Sequence, residues 1–160
     1  MANPADKTYF VPAFTGLGAP YWDSEATGLL TGITRTTGKA ELVKAGVECI
    51  GYQITDLVQR MAQDAGLLLA ELRVDGGPTA NTYLMQFQSD MAQVEVSVPE
   101  IQELSGFGAA CAAGFSCGFY DPAIIHSQLH RHSYTPKMSA EERSGRYAGW
   151  QSAVRQALTH

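Results

Sequence analysis

The chain has 160 residues, 45% of them apolar and 17% charged, with a formal net charge of −5. That length suffices for one domain with a proper core, and an acidic balance with no basic stripe argues against a nucleic-acid partner. No apolar run is long enough to cross a bilayer and no leader opens the chain, so a cytoplasmic protein without a membrane partner is expected.

Residues 1–8 are polar and unpatterned and read as a disordered or added start. Residues 9–14 form an apolar run containing Pro12, which suits an edge strand or an extended lead-in. The loop Thr15-Gly16-Leu17-Gly18-Ala19-Pro20-Tyr21-Trp22-Asp23 follows. Its two glycines hint at a phosphate loop, but the third glycine of the dinucleotide fingerprint and the lysine of a conventional phosphate loop are absent. A structural loop in which Tyr21 and Trp22 fill a groove is the expectation. Residues 28–34 read as a strand.

A long helix is predicted from Lys39 to Ala65. Val43, Val47, Ile50, Ile54, Val58 and Met61 step along it by three or four, the mark of one buried stripe. Glu41 lies in the first turn, where the dipole favours an acid, and Gly66 is placed to stop it. Gly46 and Gly51 each cost such a helix about 1 kcal/mol against alanine. Close packing against a sheet is the plainest reason for them.

The stretch Leu72-Arg73-Val74-Asp75-Gly76-Gly77-Pro78-Thr79-Ala80-Asn81 is the centre of the reading. A short apolar strand ends on Asp75, two glycines follow, and a helix begins with Leu84, Phe87 and Met91 at helical spacing. Gly76 and Gly77 lack the side chains that would keep a ligand from the backbone. The helix start offers unpaired amides and the positive end of its dipole, which favours phosphate. A tight strand-to-helix turn without any ligand would use the same residues. Asp75, the only carboxylate there, reads as an acceptor for turn amides.

Beyond it, Val94, Val96 and Val98 alternate with Glu95 and Ser97 in a strand closed by Pro99. Residues 106–118 form a helix of small residues, suited to lie against another helix or beside a ligand, with Ser105 as its N-cap. Cys49, Cys111 and Cys117 read as buried small residues in a reducing compartment. From Asp121 to Met138 the pattern fades, with Pro122 and Pro136 bracketing a histidine-bearing segment. His126, His130 and His132 invite a metal, yet only Asp121 could add a carboxylate, so a solvated linker is preferred. A last helix starts near Ser139 with a capping-box opening and presents Tyr147, Trp150, Val154 and Leu158 as a docking face. The order of elements predicts an α/β layer architecture, a mixed sheet with helices on both faces.

With these motifs laid out, the chain resembles the C-terminal domain of the FGGY carbohydrate kinases, and most closely the branch that phosphorylates glycerol. The resemblance rests on Phe10-Val11-Pro12-Ala13-Phe14 through Gly18-Ala19-Pro20-Tyr21-Trp22-Asp23. It continues in Arg73-Val74-Asp75-Gly76-Gly77, Ala80-Asn81, Leu84-Met85-Gln86-Phe87-Gln88-Ser89-Asp90 and Arg146-Tyr147-Ala148-Gly149-Trp150. It implies the C-terminal half of an actin-like, ribonuclease H-like ATPase fold lacking its first strands. The family domain would span residues 9–121, a linker residues 122–138, and a docked terminal helix residues 139–160.

The resemblance implies ATP or ADP as ligand, with Mg2+, and in-line transfer of the γ-phosphoryl group to glycerol. It places Asp75, Gly76, Gly77, Pro78 and Asn81 at the nucleotide. Neither a catalytic residue nor a metal ligand falls within the chain, because the catalytic aspartate and most polyol contacts match positions upstream of it. The chain alone is therefore expected to be inactive, and to reach glycerol only together with the N-terminal domain. Missing strands would leave a sheet edge open, which predicts a homo-oligomer. A kinase for another polyol or sugar, or a non-catalytic interaction module with the same fold, are the alternatives. The chain departs from the family at Gly46-Val47-Glu48, where a larger residue usually precedes the glutamate, and at Ser105-Gly106-Phe107-Gly108.

Overall fold

A computed structural model describes residues 2–101, 103–119, 121 and 130–160. The first two strands, β1 (Tyr9–Val11) and β2 (Leu29–Thr31), pair antiparallel with Phe10 opposite Leu30. Both are shorter than the apolar runs that predicted them. Helix α1 (Lys39–Ala65) has the predicted bounds, and Gly66 closes it in the left-handed conformation. Strand β3 (Glu71–Arg73) then leads through a 3-10 turn, Gly77–Ala80, into α2 (Thr82–Ala92). Strand β4 (Glu95–Pro99), helix α3 (Leu104–Ser116), strand β5 (Arg131–Tyr134) and helix α4 (Ala140–Ala157) complete the order. The second sheet runs β3-β4-β5, with β3 parallel and β5 antiparallel to β4, so it is mixed as expected.

Strand β5 corrects the solvated-linker reading for residues 131–134. Their pattern is polar and short, and what recruits them is α2. Ser89 Oγ donates to the Tyr134 carbonyl at 2.8 Å, and Asp90 Oδ1 accepts from the amides of Lys137 and Met138 at 2.6 and 3.0 Å. His130 flanks this strand, and His132 lies in it with its ring edge-on to Tyr134. His126 lies outside the described residues, as do residues 122–129 of the linker. Among the described residues no group of three or more His, Cys, Asp or Glu is disposed to hold a metal.

The main core gathers α1, α2, α4 and β1. Tyr52 stacks on Trp150 with ring centroids 5.2 Å apart and meets Phe87 edge-on at 5.1 Å. Trp150 and Val154 are fully buried, with Tyr147 and Leu158 packed beside them. Ser139 caps that helix by accepting from the Glu142 amide at 3.2 Å. At the centre, the buried Asp56 carboxylate accepts from Trp150 Nε1 at 2.7 Å, Tyr21 OH at 2.8 Å and Tyr147 OH at 2.5 Å.

Several expectations are overturned. The apolar stripe of α1 is not the buried one. Val43 and Met61 are 57% and 61% exposed, and Ile50 is open too, while Cys49, Tyr52, Thr55 and Asp56 face the core. Periodicity identifies an apolar face but not what covers it. Gly51 does pack closely, but on Phe87 of α2 rather than on a sheet, whereas Gly46 faces open space. Trp22 is exposed, so Tyr21 alone fills the groove. Ser105 sits inside α3, whose N-cap is Glu103. The small-residue face of α3 is largely exposed, with Cys111 and Gly114 its buried positions. Cys117 is exposed as well.

Candidate functional site

The double glycine stands where a parallel strand meets a helix. The Val74 amide donates to the Ser97 carbonyl at 3.1 Å, carrying the β3–β4 pairing one residue further. The chain then turns at Gly76, whose φ of 90° and ψ of 175° are strained for any residue with a Cβ. Gly77 has nothing within 4 Å of where a Cβ would stand. Asp75, Gly76, Gly77 and Pro78 are all exposed. Among the described residues the amides of Gly76 and Gly77 donate to no acceptor. Two exposed, unspent amides therefore stand side by side.

Thr79 and Asn81 fix that geometry. Thr79 sends both its amide and its Oγ1 to the Gly76 carbonyl, at 3.1 and 2.7 Å. The Asn81 amide donates to the Pro78 carbonyl at 3.0 Å. Its side-chain oxygen caps α2 by accepting from the Leu84 amide at 3.1 Å, which leaves Nδ2 as a donor at an exposed position. Asp75 differs from the expectation. Among the described residues no amide donates to its carboxylate, and Thr79 holds the turn instead. Thr79 was missed in the sequence, although a hydroxyl three residues beyond a turn carbonyl is a recognised local motif.

Two grooves flank the turn. One, of about 590 Å³, sets Asn81 and Tyr83 beside Val43, Val47, Lys44 and Arg146. Both cations are tied to the buried Glu48, Lys44 Nζ at 3.3 Å and Arg146 Nη1 at 3.4 Å, and the Tyr83 hydroxyl donates to the same carboxylate. Burial, with the Glu48 charge adding to it, raises the Tyr83 phenol well above its ordinary range, so Tyr83 stays a neutral donor. The other groove, about 280 Å³, sets Asp75, Pro78 and Thr79 against Ile50, Ile54 and Leu84. Gln88 lines its floor, and its buried Oε1 lacks a hydrogen-bond partner among the described residues.

The profile of the FGGY family of carbohydrate kinases, C-terminal domain, matches residues 1–117. The chain belongs to this family. Among curated FGGY relatives, a glycerol kinase of Brevibacillus brevis (strain 47) is 45% identical over 154 residues, covering 95% of the chain and 31% of the relative. A glycerol kinase of Shewanella woodyi is 46% identical over 152 residues, covering 94% and 31%. The crystal structure of Plasmodium falciparum glycerol kinase with ADP matches at a TM-score of 0.86 and 33% identity, over 97% of the chain and 31% of that protein. A xylulose kinase of Lactobacillus acidophilus matches at a TM-score of 0.71 and 21% identity, which speaks for the fold alone. The chain thus spans about a third of the length of these FGGY kinases, and its mixed α/β architecture is a piece of their actin-like ATPase fold.

Proposed function

We propose that this chain is the nucleotide-binding part of an ATP-dependent glycerol kinase. One observation carries the reading: an exposed double-glycine turn with two free amides, at the start of a helix, in a chain similar to glycerol kinases over nearly its whole length. The Gly76 and Gly77 amides would hold a phosphate of MgATP or ADP, helped by the positive end of α2. Asn81 Nδ2 would donate to the nucleotide from the next turn, and Pro78 keeps the turn open by offering no amide of its own to compete. Asp75, exposed and free of turn bonds, borders the same space.

In the reaction the substrate is MgATP, and the γ-phosphoryl group passes in line to a terminal hydroxyl of glycerol. Such transfer depends chiefly on positioning and on neutralising the phosphate oxygens. The share supplied by these residues is positioning, through fixed amides that need no rearrangement when the phosphate arrives.

Calorimetric titration of ADP into the 160-residue chain tests this, with Asn81→Ala and Asn81→Ser beside the parent. Alanine removes both the nucleotide donor and the helix cap, a cap being worth about 1 kcal/mol. Serine restores the cap but not the amide donor. The expected result is that both variants weaken ADP binding about five- to tenfold, in line with one lost hydrogen bond. Binding at parental strength in the serine variant would remove Asn81 from the site. No heat from the parent under any condition would show that the turn alone does not hold a nucleotide.

A further inference from the structure

We infer that Tyr83, acting through the buried carboxylate of Glu48, is a positioning residue for the double-glycine turn, granted that the turn holds nucleotide as proposed. It fixes the first turn of α2, and with it Asn81, in place. Glu48 ties three helices together. Its side chain comes from α1 and the residue is only 3% exposed. Lys44 Nζ, one turn earlier in α1, lies 3.3 Å from Oε2, and Arg146 Nη1 of α4 lies 3.4 Å from Oε1. The Tyr83 hydroxyl of α2 donates to that same Oε1. Arg146 carries the junction further, with Nη2 2.9 Å from Glu142 Oε1 and donating to the Pro4 carbonyl at 3.4 Å, ahead of β1.

The place of Tyr83 in its helix gives this junction its reach. Tyr83 is the second residue of α2, two beyond the Asn81 cap. The Leu84 amide donates to the Asn81 side chain and the Met85 amide to the Asn81 carbonyl, each at 3.1 Å, so cap and first turn move as a unit. The next close contact between α1 and α2, Gly51 against Phe87, lies one turn further along. Without the Tyr83 hydroxyl the cap end of α2 loses its polar tie to Glu48. A phenol suits the task. Its ring lies nearly parallel to that of Phe87, with centroids 6.2 Å apart, while the hydroxyl reaches across to α1. It also brings no cation to the positive end of a helix. A hydrogen bond to a charged acceptor is stronger than one between neutral groups, which makes this tie a firm one.

The test compares Tyr83→Phe and Glu48→Gln with the parent 160-residue chain by thermal melting, amide hydrogen exchange and calorimetric titration of ADP. Phenylalanine keeps the ring on Phe87 and removes only the hydroxyl. It should lower the melting temperature by only a few degrees. It should also speed exchange of the Leu84 and Met85 amides about tenfold and weaken ADP binding about three- to tenfold, as fits one lost hydrogen bond to a charged group. Glutamine keeps an oxygen to accept from Tyr83 but leaves Lys44 and Arg146 without their counter-charge. It should melt lower than Tyr83→Phe, yet keep exchange at these two amides and ADP affinity near the parental values. A merely structural role would instead rank ADP affinity by melting temperature, with Glu48→Gln the weaker binder, and would overturn the inference. Should Glu48→Gln not fold, Tyr83→Phe decides alone. Parental exchange in Tyr83→Phe would overturn the inference, and a weaker ADP affinity beside it would make Tyr83 a direct nucleotide contact. Faster exchange with unchanged ADP affinity would overturn it too. A parent that binds no ADP would remove the nucleotide reading and this inference together, whereas a parent that binds beside an indifferent Tyr83→Phe removes the inference alone.

Discussion

Two buried carboxylates show how one residue type serves opposite ends of the pH scale. Asp56 is taken out of water among aromatic rings, and that burial raises its pKa against the three hydrogen bonds that lower it. A raised folded pKa means that its contribution to stability is fully present below the unfolded value of about 3.9 and declines as pH rises through the folded value. Asp23 is the reverse. It accepts the Thr159 amide at 2.7 Å, the Thr159 hydroxyl at 3.0 Å and the Glu25 amide at 3.0 Å, which hold its pKa low. Its contribution is present above about 3.9 and is lost as pH falls through the folded value. Denaturant titrations across pH 2 to 7 should therefore separate the two. Asp23→Asn flattens the acid limb, and Asp56→Asn flattens the decline above it; no change in either limb would refute both assignments. Asp56→Ala, at neutral pH, leaves the indole N–H and two phenols without their acceptor and should cost about 2–4 kcal/mol. A loss below about 1 kcal/mol would mean that water takes over the acceptor role.

Among the elements, α1 carries the clearest lesson. Its bounds were legible because ends are written locally: Glu41 Oε2 accepts from the Gly38 amide at 2.9 Å, and Gly66 can turn left-handed. Which face it buries was not legible. The buried face carries Glu48, Thr55 and Asp56, each partnered by residues far away in the chain, and no window around α1 reports those partners. The two internal glycines divide along the same line. A Cβ on Gly51 would lie 2.7 Å from Phe87 Cδ1, while one on Gly46 would meet nothing within 4 Å. Gly51→Ala should thus destabilise by about 1–3 kcal/mol through overpacking. Gly46→Ala should stabilise by up to about 1 kcal/mol through helix propensity. Thermal melts of both variants decide it, and shifts of the same sign would mean that the α1–α2 contact is looser than described. At the turn, the bend at Gly76 and the uncrowded backbone of Gly77 were readable because they are backbone properties, whereas the side-chain cap that Asn81 gives α2 was not read. The role of Thr79 and the idleness of Asp75 depend on hydroxyl and carboxylate directions that composition does not encode.

For the molecule as a whole, the double-glycine turn and the chemistry proposed for it separate cleanly. The turn has amide donors, yet Asp75 is its only carboxylate, and no described residue orients it as a base. We therefore expect no glycerol-dependent ADP release from the 160-residue chain on its own, even where ADP binds; a coupled assay showing such turnover would place a base within these residues. The joining of the two ends of the chain has a different consequence. Tyr9 OH donates to the Arg146 carbonyl at 3.1 Å, Gly149 lies so close to the Tyr9 ring that no Cβ would fit, and Trp150 covers Tyr52. The first strand therefore has no finished surface to pack on until the last helix exists. On a ribosome, where N-terminal parts emerge first, this domain cannot fold progressively behind the point of synthesis. It must wait for α4 to leave the exit tunnel, with its long-range contacts forming late and together.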